Sequence, residues 1–157
     1  MTRYLLHTNI ISNVIKPEPS GSLLAWMGAQ KDEDLFIASL TVAEIRRGIL
    51  EKTKGKKRSS LETVRGLRRP KALFAGRVLS FDEKAGLVWA RLMANGKARG
   101  RSRSALDTII AAIAEANECV VVTDNEKDFE DVQIINPLRS SASQAGDDSS
   151  NGPADSI

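Results

Sequence analysis

The sequence predicts an α/β fold in which an open, mostly parallel sheet of about five strands carries helices on both faces. Short apolar segments alternate along the chain with longer segments whose apolar residues have helical spacing. Strands separated by helices form parallel β-α-β units with right-handed crossovers. The length of 157 residues and the 41% hydrophobic content suit a single domain with a real hydrophobic core.

Each predicted element has its own local signal. Tyr4-Leu5-Leu6 is a short apolar segment typical of a buried strand, and Pro17 ends the helix that follows it. Gly66 and Pro70 weaken an otherwise helical segment, whereas the Ala/Ile-rich segment 105–116 is strongly helical. The predicted strands are residues 4–6, 35–38, 77–79, 119–123 and 132–135, and the predicted helices are 8–16, 20–30, 41–50, 59–74, 83–95 and 105–116.

The composition divides the chain into a folded body and a tail. Residues 140–157 are rich in Ser, Gly, Asp and Asn and cannot bury enough apolar surface to fold. We therefore expect one domain over residues 1–139 and a disordered tail over residues 140–157.

Basic residues cluster in the middle of the chain. Between Arg46 and Lys71 there are eleven Lys or Arg and two Glu, although the net charge of the whole chain is only +3. A pI near 9.2 and a basic face favour a polyanionic partner such as nucleic acid. A solvated helix face without a partner is the alternative.

Several features predict a cytoplasmic protein. No apolar segment approaches the ~20 residues needed to cross a membrane, and the N-terminus lacks the pattern of a secretion signal. Cys119 is the one cysteine and lies in an apolar segment, which predicts a buried, inert thiol and excludes an internal disulfide.

Polar and acidic residues recur after the predicted strands, at the sheet edge where α/β folds place their ligands. Taken singly, each has a structural alternative. Thr41 with Glu44 and Ser104 with Asp107 both fit the capping box of a helix N-terminus, and residues 123–126 have the same form. Their convergence on one edge beside a basic face favours a site, because Mg²⁺ and Mn²⁺ take carboxylate oxygens.

Four segments together resemble the PIN-domain family, and the VapC/FitB-type toxins in particular. Residues 74–82 and the closing Ile-Asn-Pro at 135–137 are also similar to those toxins, and the resemblance covers nearly all of residues 3–138, in order. The four segments are Tyr4-Leu5-Leu6-His7-Thr8-Asn9-Ile10-Ile11-Ser12, Ser39-Leu40-Thr41-Val42-Ala43-Glu44-Ile45-Arg46-Arg47-Gly48, Leu106-Asp107-Thr108-Ile109-Ile110-Ala111-Ala112-Ile113 and Val122-Thr123-Asp124-Asn125-Glu126-Lys127-Asp128-Phe129.

This resemblance implies a metal-dependent endoribonuclease that uses Mg²⁺ or Mn²⁺ to activate water and that an antitoxin silences. Glu44 and Asp107 match the acidic metal-binding positions of the family. The fourth acid is placed at Asp128, with Asp124 second, and some members have it where Asn125 stands. The residues that match the family's ligand-orienting positions are Thr8, Asn9 and Thr41.

His7 departs from the family pattern, which has an aspartate at this metal-binding position. Imidazole removes a negative charge and suits Zn²⁺ or Cu²⁺ better than Mg²⁺. Loss of ligand-orienting partners alone costs ~10–100-fold in metal affinity or activity, so loss of a ligand carboxylate should cost at least as much. We therefore expect this chain to be catalytically impaired.

The resemblance also implies partners: a small cognate antitoxin, an RNA substrate, promoter DNA bound only through the antitoxin, and a second copy of the chain in a homodimer. A membrane is not among them. The RNA-contacting candidates are Arg46, Arg47, Lys56, Lys57 and Arg58.

Two other function classes were weighed. A non-catalytic PIN fold that binds RNA or protein stays open, and His7 is its best support. A dinucleotide-binding enzyme is excluded, because the turn after the first strand contains no glycine and cannot form a Gly-rich phosphate loop.

Overall fold

The computed structural model describes residues 1–52, 73–101 and 103–139. In these ranges one five-stranded sheet is flanked by five α-helices, and single 3-10 turns cover Asp32–Asp34 and Glu126–Phe129. The elements in chain order are β1 (Arg3–Leu6), α1 (Thr8–Val14), α2 (Gly21–Ala29), β2 (Leu35–Ala38), α3 (Ser39–Lys52), β3 (Val78–Leu79), α4 (Glu83–Ala98), α5 (Ala105–Ala116), β4 (Cys119–Val122) and β5 (Ile134–Ile135).

The sheet has the strand order β3-β2-β1-β4-β5, and all neighbouring strands run parallel. The first strand is therefore central, with Leu5 opposite Phe36 on β2 and opposite Val121 on β4. Since parallel strands need a crossover between them, helices must cover the sheet. The predicted α/β class and open parallel sheet are confirmed.

The core lies on both faces of the sheet because successive strand residues point to opposite sides. Leu5 and Val121 belong to a cluster with the apolar side of α5, including Ile110 and Ile113. Their neighbours on the strands face the other way: Leu6 and Val122 join a second cluster. That cluster contains Ile10, Ile11, Leu23, Leu35, Ile37, Ile45, Ile49 and Phe74. The two clusters hold β1 and β4 rigidly and fix where their ends lie.

Several element boundaries differ from the prediction, the largest difference being the end of α4, at Ala98 instead of residue 95. The helix predicted from residue 41 begins at Ser39, because β2 passes directly into α3 without a loop. The first helix ends at Val14, two residues before the predicted end. The last strand is only Ile134–Ile135, since the Val132 N–H turns back to the carbonyl of Phe129 instead of joining the ladder.

Two predictions concern residues that the structure does not describe. The predicted helix 59–74 lies outside the described residues except for its last two positions, and so does the whole predicted tail 140–157. Among the described helices, none has the length and apolar character needed to cross a bilayer.

Candidate active site

The site forms where the carboxyl ends of β1 and β4 lie side by side. Leu6 pairs with Val122, so the residues that follow them, His7 and Thr123, leave the sheet at the same level. The His7 N–H still bonds to the Val122 carbonyl at 2.9 Å. Because β1 is central, its end is bordered by α3 on one side and by the N-terminus of α5 on the other.

His7 links two segments that are far away in the sequence. Its Nδ1 lies 3.0 Å from Thr123 Oγ1, and its Nε2 lies 3.1 Å from Asp107 Oδ1. The ring packs edge-on against Phe129, with centroids 4.9 Å apart. His7 is 7% exposed and Phe129 is fully buried, so the ring is held on all sides by the core.

Asp107 belongs to the first turn of α5, where the helix dipole favours a negative charge. Ser104 caps this helix, and its Oγ accepts from the Asp107 N–H at 3.4 Å. The hydrogen bond with His7 lowers the pKa of the Asp107 carboxyl from its ordinary 3.8, against the opposing effect of partial burial, and a contact with Asp128 lowers it further. The carboxylate is therefore ionised at neutral pH.

Glu44 lies on the other side of β1. The Thr8 hydroxyl is 2.8 Å from Glu44 Oε1 and 3.1 Å from Thr41 Oγ1. Thr41 is fully buried inside α3 and contacts Thr8, so it is not the helix cap that the sequence allowed as an alternative. Thr8 thus contacts the Glu44 carboxylate directly and Thr41 contacts Thr8, and their role as ligand-orienting residues stays a prediction.

The loop after β4 carries the remaining acids, and each is held by an amide. Asn9 donates to Asp124 and, at 3.3 Å, to Thr123 Oγ1, whereas Asn125 donates to Asp128. Asp128 is the one that also contacts Asp107. The predicted preference for Asp128 as the fourth acid stays a prediction, but Asp128 is the acid that the fold places beside Asp107.

Thr123 belongs to the site, but it is not among the site residues predicted from the sequence. It is fully buried, and its hydroxyl meets His7, Asn9 and the backbone N–H of Asn125, the last at 3.0 Å. The available signal was its position, directly after β4 and opposite the residue that follows β1. The sequence pattern of residues 123–126 also fits a capping box, which predicts a helix cap at Thr123.

The basic residues of the prediction are only partly described. Arg46 and Arg47 are exposed on α3, just after Glu44, and Arg47 pairs with Glu51 at 2.8 Å. The other three RNA-contacting candidates, Lys56, Lys57 and Arg58, lie outside the described residues.

A second basic segment borders the Asp128 side of the site. Arg103 is 12% exposed at its side chain, packs against Gly96 of α4 and pairs with Asp131, which also binds Arg99 at 3.0 Å. Arg101 pairs with Glu130. These ion pairs tie the segment before α5 to the loop that carries Asp128. A cavity of about 300 Å³ lies between them, lined by Arg101, Arg103, Ser104, Lys127, Asp128 and Glu130.

The side chains present do not fit a Mg²⁺ or Mn²⁺ centre. In the part of the chain that the structure describes, no three His, Cys, Asp or Glu side chains are arranged to hold a metal ion. The chemistry of the donors explains this: hard cations need several oxygen ligands, and His7 puts a nitrogen beside Asp107 Oδ1. Glu44 accepts a hydrogen bond from Thr8 instead, and Asp124 accepts one from Asn9.

Comparison with known proteins agrees with this architecture. The PIN domain family model matches residues 4–135. The chain is 36% identical over 136 residues to Toxin FitB of Neisseria gonorrhoeae and 40% identical over 136 residues to VapC ribonuclease Y4jK of Sinorhizobium fredii. Each match covers 85% of this chain and 96% of the relative.

The fold likeness is equally extensive. A solved structure of FitAB bound to a DNA fragment superposes with a TM-score of 0.77 at 36% identity, covering 86% of this chain and 95% of that one. Strand order, site position and these matches lead to one conclusion: the chain belongs to the PIN-domain family, among the VapC- and FitB-type toxins of toxin–antitoxin systems.

Proposed function

We propose that this chain is a toxin whose fold is built to hydrolyse RNA, and that His7 disables the hydrolysis. One observation carries the proposal: residue 7 follows β1 and contacts Asp107, next to Thr8, which contacts Glu44, and the family resemblance implies an aspartate at this position. We call the surface between Glu44, residue 7 and Asp107 the groove. His7 occupies that place with a ring that hydrogen-bonds Asp107 instead of adding a further carboxylate.

An aspartate at position 7 would change the donor set in a specific way. The groove would then present a carboxylate there in addition to Glu44, Asp107 and Asp128, and carboxylate oxygens are what Mg²⁺ and Mn²⁺ take from proteins. A cation bound to them would supply activated water for attack on a phosphodiester. We infer that this substitution restores a hydrolytic centre that the His7 side chain closes.

The test compares the chain with two substitutions at the same position, each purified without antitoxin. His7→Asp supplies the carboxylate, and His7→Asn supplies a side chain of the same shape without the charge. We expect cleavage of a structured RNA in Mg²⁺ or Mn²⁺ by His7→Asp at a rate at least about 100-fold above the other two, following the cost of perturbing a metal site. EDTA should abolish it.

Two results would contradict the proposal. Cleavage by the unsubstituted chain at the His7→Asp rate would mean that His7 does not impair the centre. No cleavage by a folded His7→Asp protein would favour the second candidate function, a non-catalytic PIN fold that binds RNA or protein. The His7–Asp107 hydrogen bond favours that second function for the chain as it stands.

The partners follow from the same proposal. The relatives include toxins, and one matched structure holds a toxin–antitoxin pair on DNA. We propose a small cognate antitoxin that covers the groove, promoter DNA bound only through that antitoxin, a homodimeric toxin and a cytoplasmic location. Arg46 and Arg47, which are exposed beside Glu44, would contact RNA phosphates.

A further inference from the structure

The hydroxyl of Thr123 allows the protons around His7 to be assigned. A threonine hydroxyl has one hydrogen to donate and two lone pairs that accept. Thr123 Oγ1 accepts from the Asn125 backbone N–H at 3.0 Å and from Asn9 Nδ2 at 3.3 Å. A backbone N–H can only donate, and the Asn9 nitrogen is the amide atom that also donates to Asp124.

With both lone pairs engaged, the hydrogen of Thr123 must go to its third neighbour, His7 Nδ1 at 3.0 Å. A nitrogen that accepts a hydrogen bond carries no proton, so the ring proton of His7 is on Nε2. Nε2 is also the atom that lies 3.1 Å from Asp107 Oδ1, and it donates to that carboxylate. The result is a directed chain of hydrogen bonds from Thr123 through His7 to Asp107.

We infer that Thr123 is a positioning residue that fixes the tautomer of His7, and that the resulting Nε2–H closes the Asp107 side of the groove to divalent cations. A metal ion can bind imidazole only through a nitrogen lone pair, and Nε2 has none in this tautomer. The same N–H takes one of the acceptor sites of Asp107 Oδ1. The opposite tautomer would point a third donor at Thr123 Oγ1, which has no lone pair left for it.

The His7 ring and backbone make further contacts in this arrangement. Phe129 packs edge-on against the ring at an interplanar angle of 71°, and the His7 N–H is tied to the Val122 carbonyl. A direct acyl-transfer role for the Thr123–His7–Asp107 chain is excluded, since the Thr123 hydroxyl is fully buried and no substrate can reach it. This series of hydrogen bonds closes the Asp107 side of the site to divalent cations, whether or not the protein cleaves RNA.

The tautomer is directly measurable because His7 is the one histidine of the chain. In ¹⁵N-labelled full-length protein at neutral pH, the ring nitrogens should have the spectrum of an Nε2–H tautomer. Asp107→Asn separates the two influences on the ring, since an amide can accept from Nε2–H or donate to a bare Nε2. If Thr123 sets the tautomer, Asp107→Asn keeps it on Nε2, and adding Thr123→Val produces a mixture.

Thr123→Ser is the matched control, because it keeps the hydroxyl and should keep the Nε2–H spectrum. A proton on Nδ1 in the unsubstituted chain, or a mixture in Asp107→Asn alone, would overturn the assignment to Thr123. If the double substitution does not fold, the spectra of the unsubstituted chain, Asp107→Asn and Thr123→Ser still decide.

The second half of the inference is tested with Mn²⁺ alone, without RNA. Paramagnetic broadening of the His7 ring signals should be absent in the unsubstituted chain, whereas Mn²⁺ should raise the melting temperature of His7→Asp through ligand linkage. Mn²⁺ affinity should differ by at least about tenfold between the two. Equal binding, or no binding by either, would refute closure by His7. A His7→Asp protein that binds Mn²⁺ and cleaves no RNA would end the proposed function and leave this inference intact.

Discussion

The two sides of the groove hold their carboxylates by different means. On one side, Glu44 accepts a hydrogen bond from the hydroxyl of Thr8, which also contacts Thr41. On the other, Asp107 accepts from the imidazole of His7, which is itself fixed by Thr123. A hydroxyl orients a carboxylate and leaves its charge available for a cation. An imidazole N–H also donates to a carboxylate, but its ring fills the position where the family resemblance implies a carboxylate.

The comparison separates two effects of a neighbouring side chain: it can orient a carboxylate, or it can fill the space beside that carboxylate. Both carboxylates lie near the start of a helix, Glu44 in α3, which follows β2, and Asp107 in α5, which follows α4. Both are within one hydrogen bond of the residues after β1. The Asp107 side meets the core through the contact of His7 with Phe129, and the Glu44 side meets it through the buried Thr41, which contacts Thr8. One substitution at residue 7 therefore changes the chemistry of one side and leaves the scaffold of both in place.

The largest effect is expected from removing the Phe129 ring, which packs against His7 on the Asp107 side. Phe129 is fully buried, so Phe129→Ala should lower the free energy of unfolding by about 3–5 kcal/mol, measured by urea denaturation. Leu106→Ala is the control, because Leu106 is 44% exposed on the same helix as Asp107 and should change stability by less than about 0.5 kcal/mol. Equal losses would mean that Phe129 does not anchor this side.

The next largest effect is expected from neutralising either of the two carboxylates in the His7→Asp protein. Glu44→Gln and Asp107→Asn should each reduce RNA cleavage by about 100-fold or more, since both would serve the same centre. Glu51→Gln, on the exposed surface of α3, should leave the rate unchanged. Full activity in either of the first two would remove that carboxylate from the proposed site.

A smaller effect is expected from removing the Thr8 hydroxyl, which orients Glu44. Thr8→Val in the His7→Asp protein should slow cleavage by about tenfold and cost about 1 kcal/mol of stability for the lost hydrogen bond. Thr8→Ser should retain both the rate and the stability. An unchanged rate in Thr8→Val would show that Glu44 needs no orienting partner, and the comparison between the two sides would fail there.

The smallest effect is the pH dependence of stability in the unsubstituted chain. The hydrogen bond with His7 lowers the pKa of Asp107 in the folded state, so its stabilisation is present above the ordinary value of 3.8 and is lost as pH falls through the folded pKa. The difference in unfolding free energy between this chain and Asp107→Asn should therefore shrink below pH 3.8. A constant difference across that range would mean that the bond does not stabilise the ionised form.

The sequence predicted the scaffold better than the contacts within it. The central strand and α5 were predictable because Leu5, Leu6, Ile110 and Ile113 have the periodicity of their elements and are fully buried. The placement of Glu44 and Asp107 at one edge followed from parallel topology. The role of Thr123 was not predictable, because it depends on the rotamer of a histidine 116 positions away. The predicted start of α3 was wrong because Thr41, with Glu44 three residues later, fits the capping box of a helix N-terminus. In the structure, Thr41 lies inside the helix, and its buried side chain contacts Thr8.

The central position of β1 has a consequence for how the protein is made. Strand β1 pairs with β4, and His7 finds Asp107 and Thr123 only after 100 and 116 further residues have been synthesised. Domains fold as units while the N-terminal part emerges first from the ribosome. A nascent chain that stops before β4 therefore cannot assemble the groove.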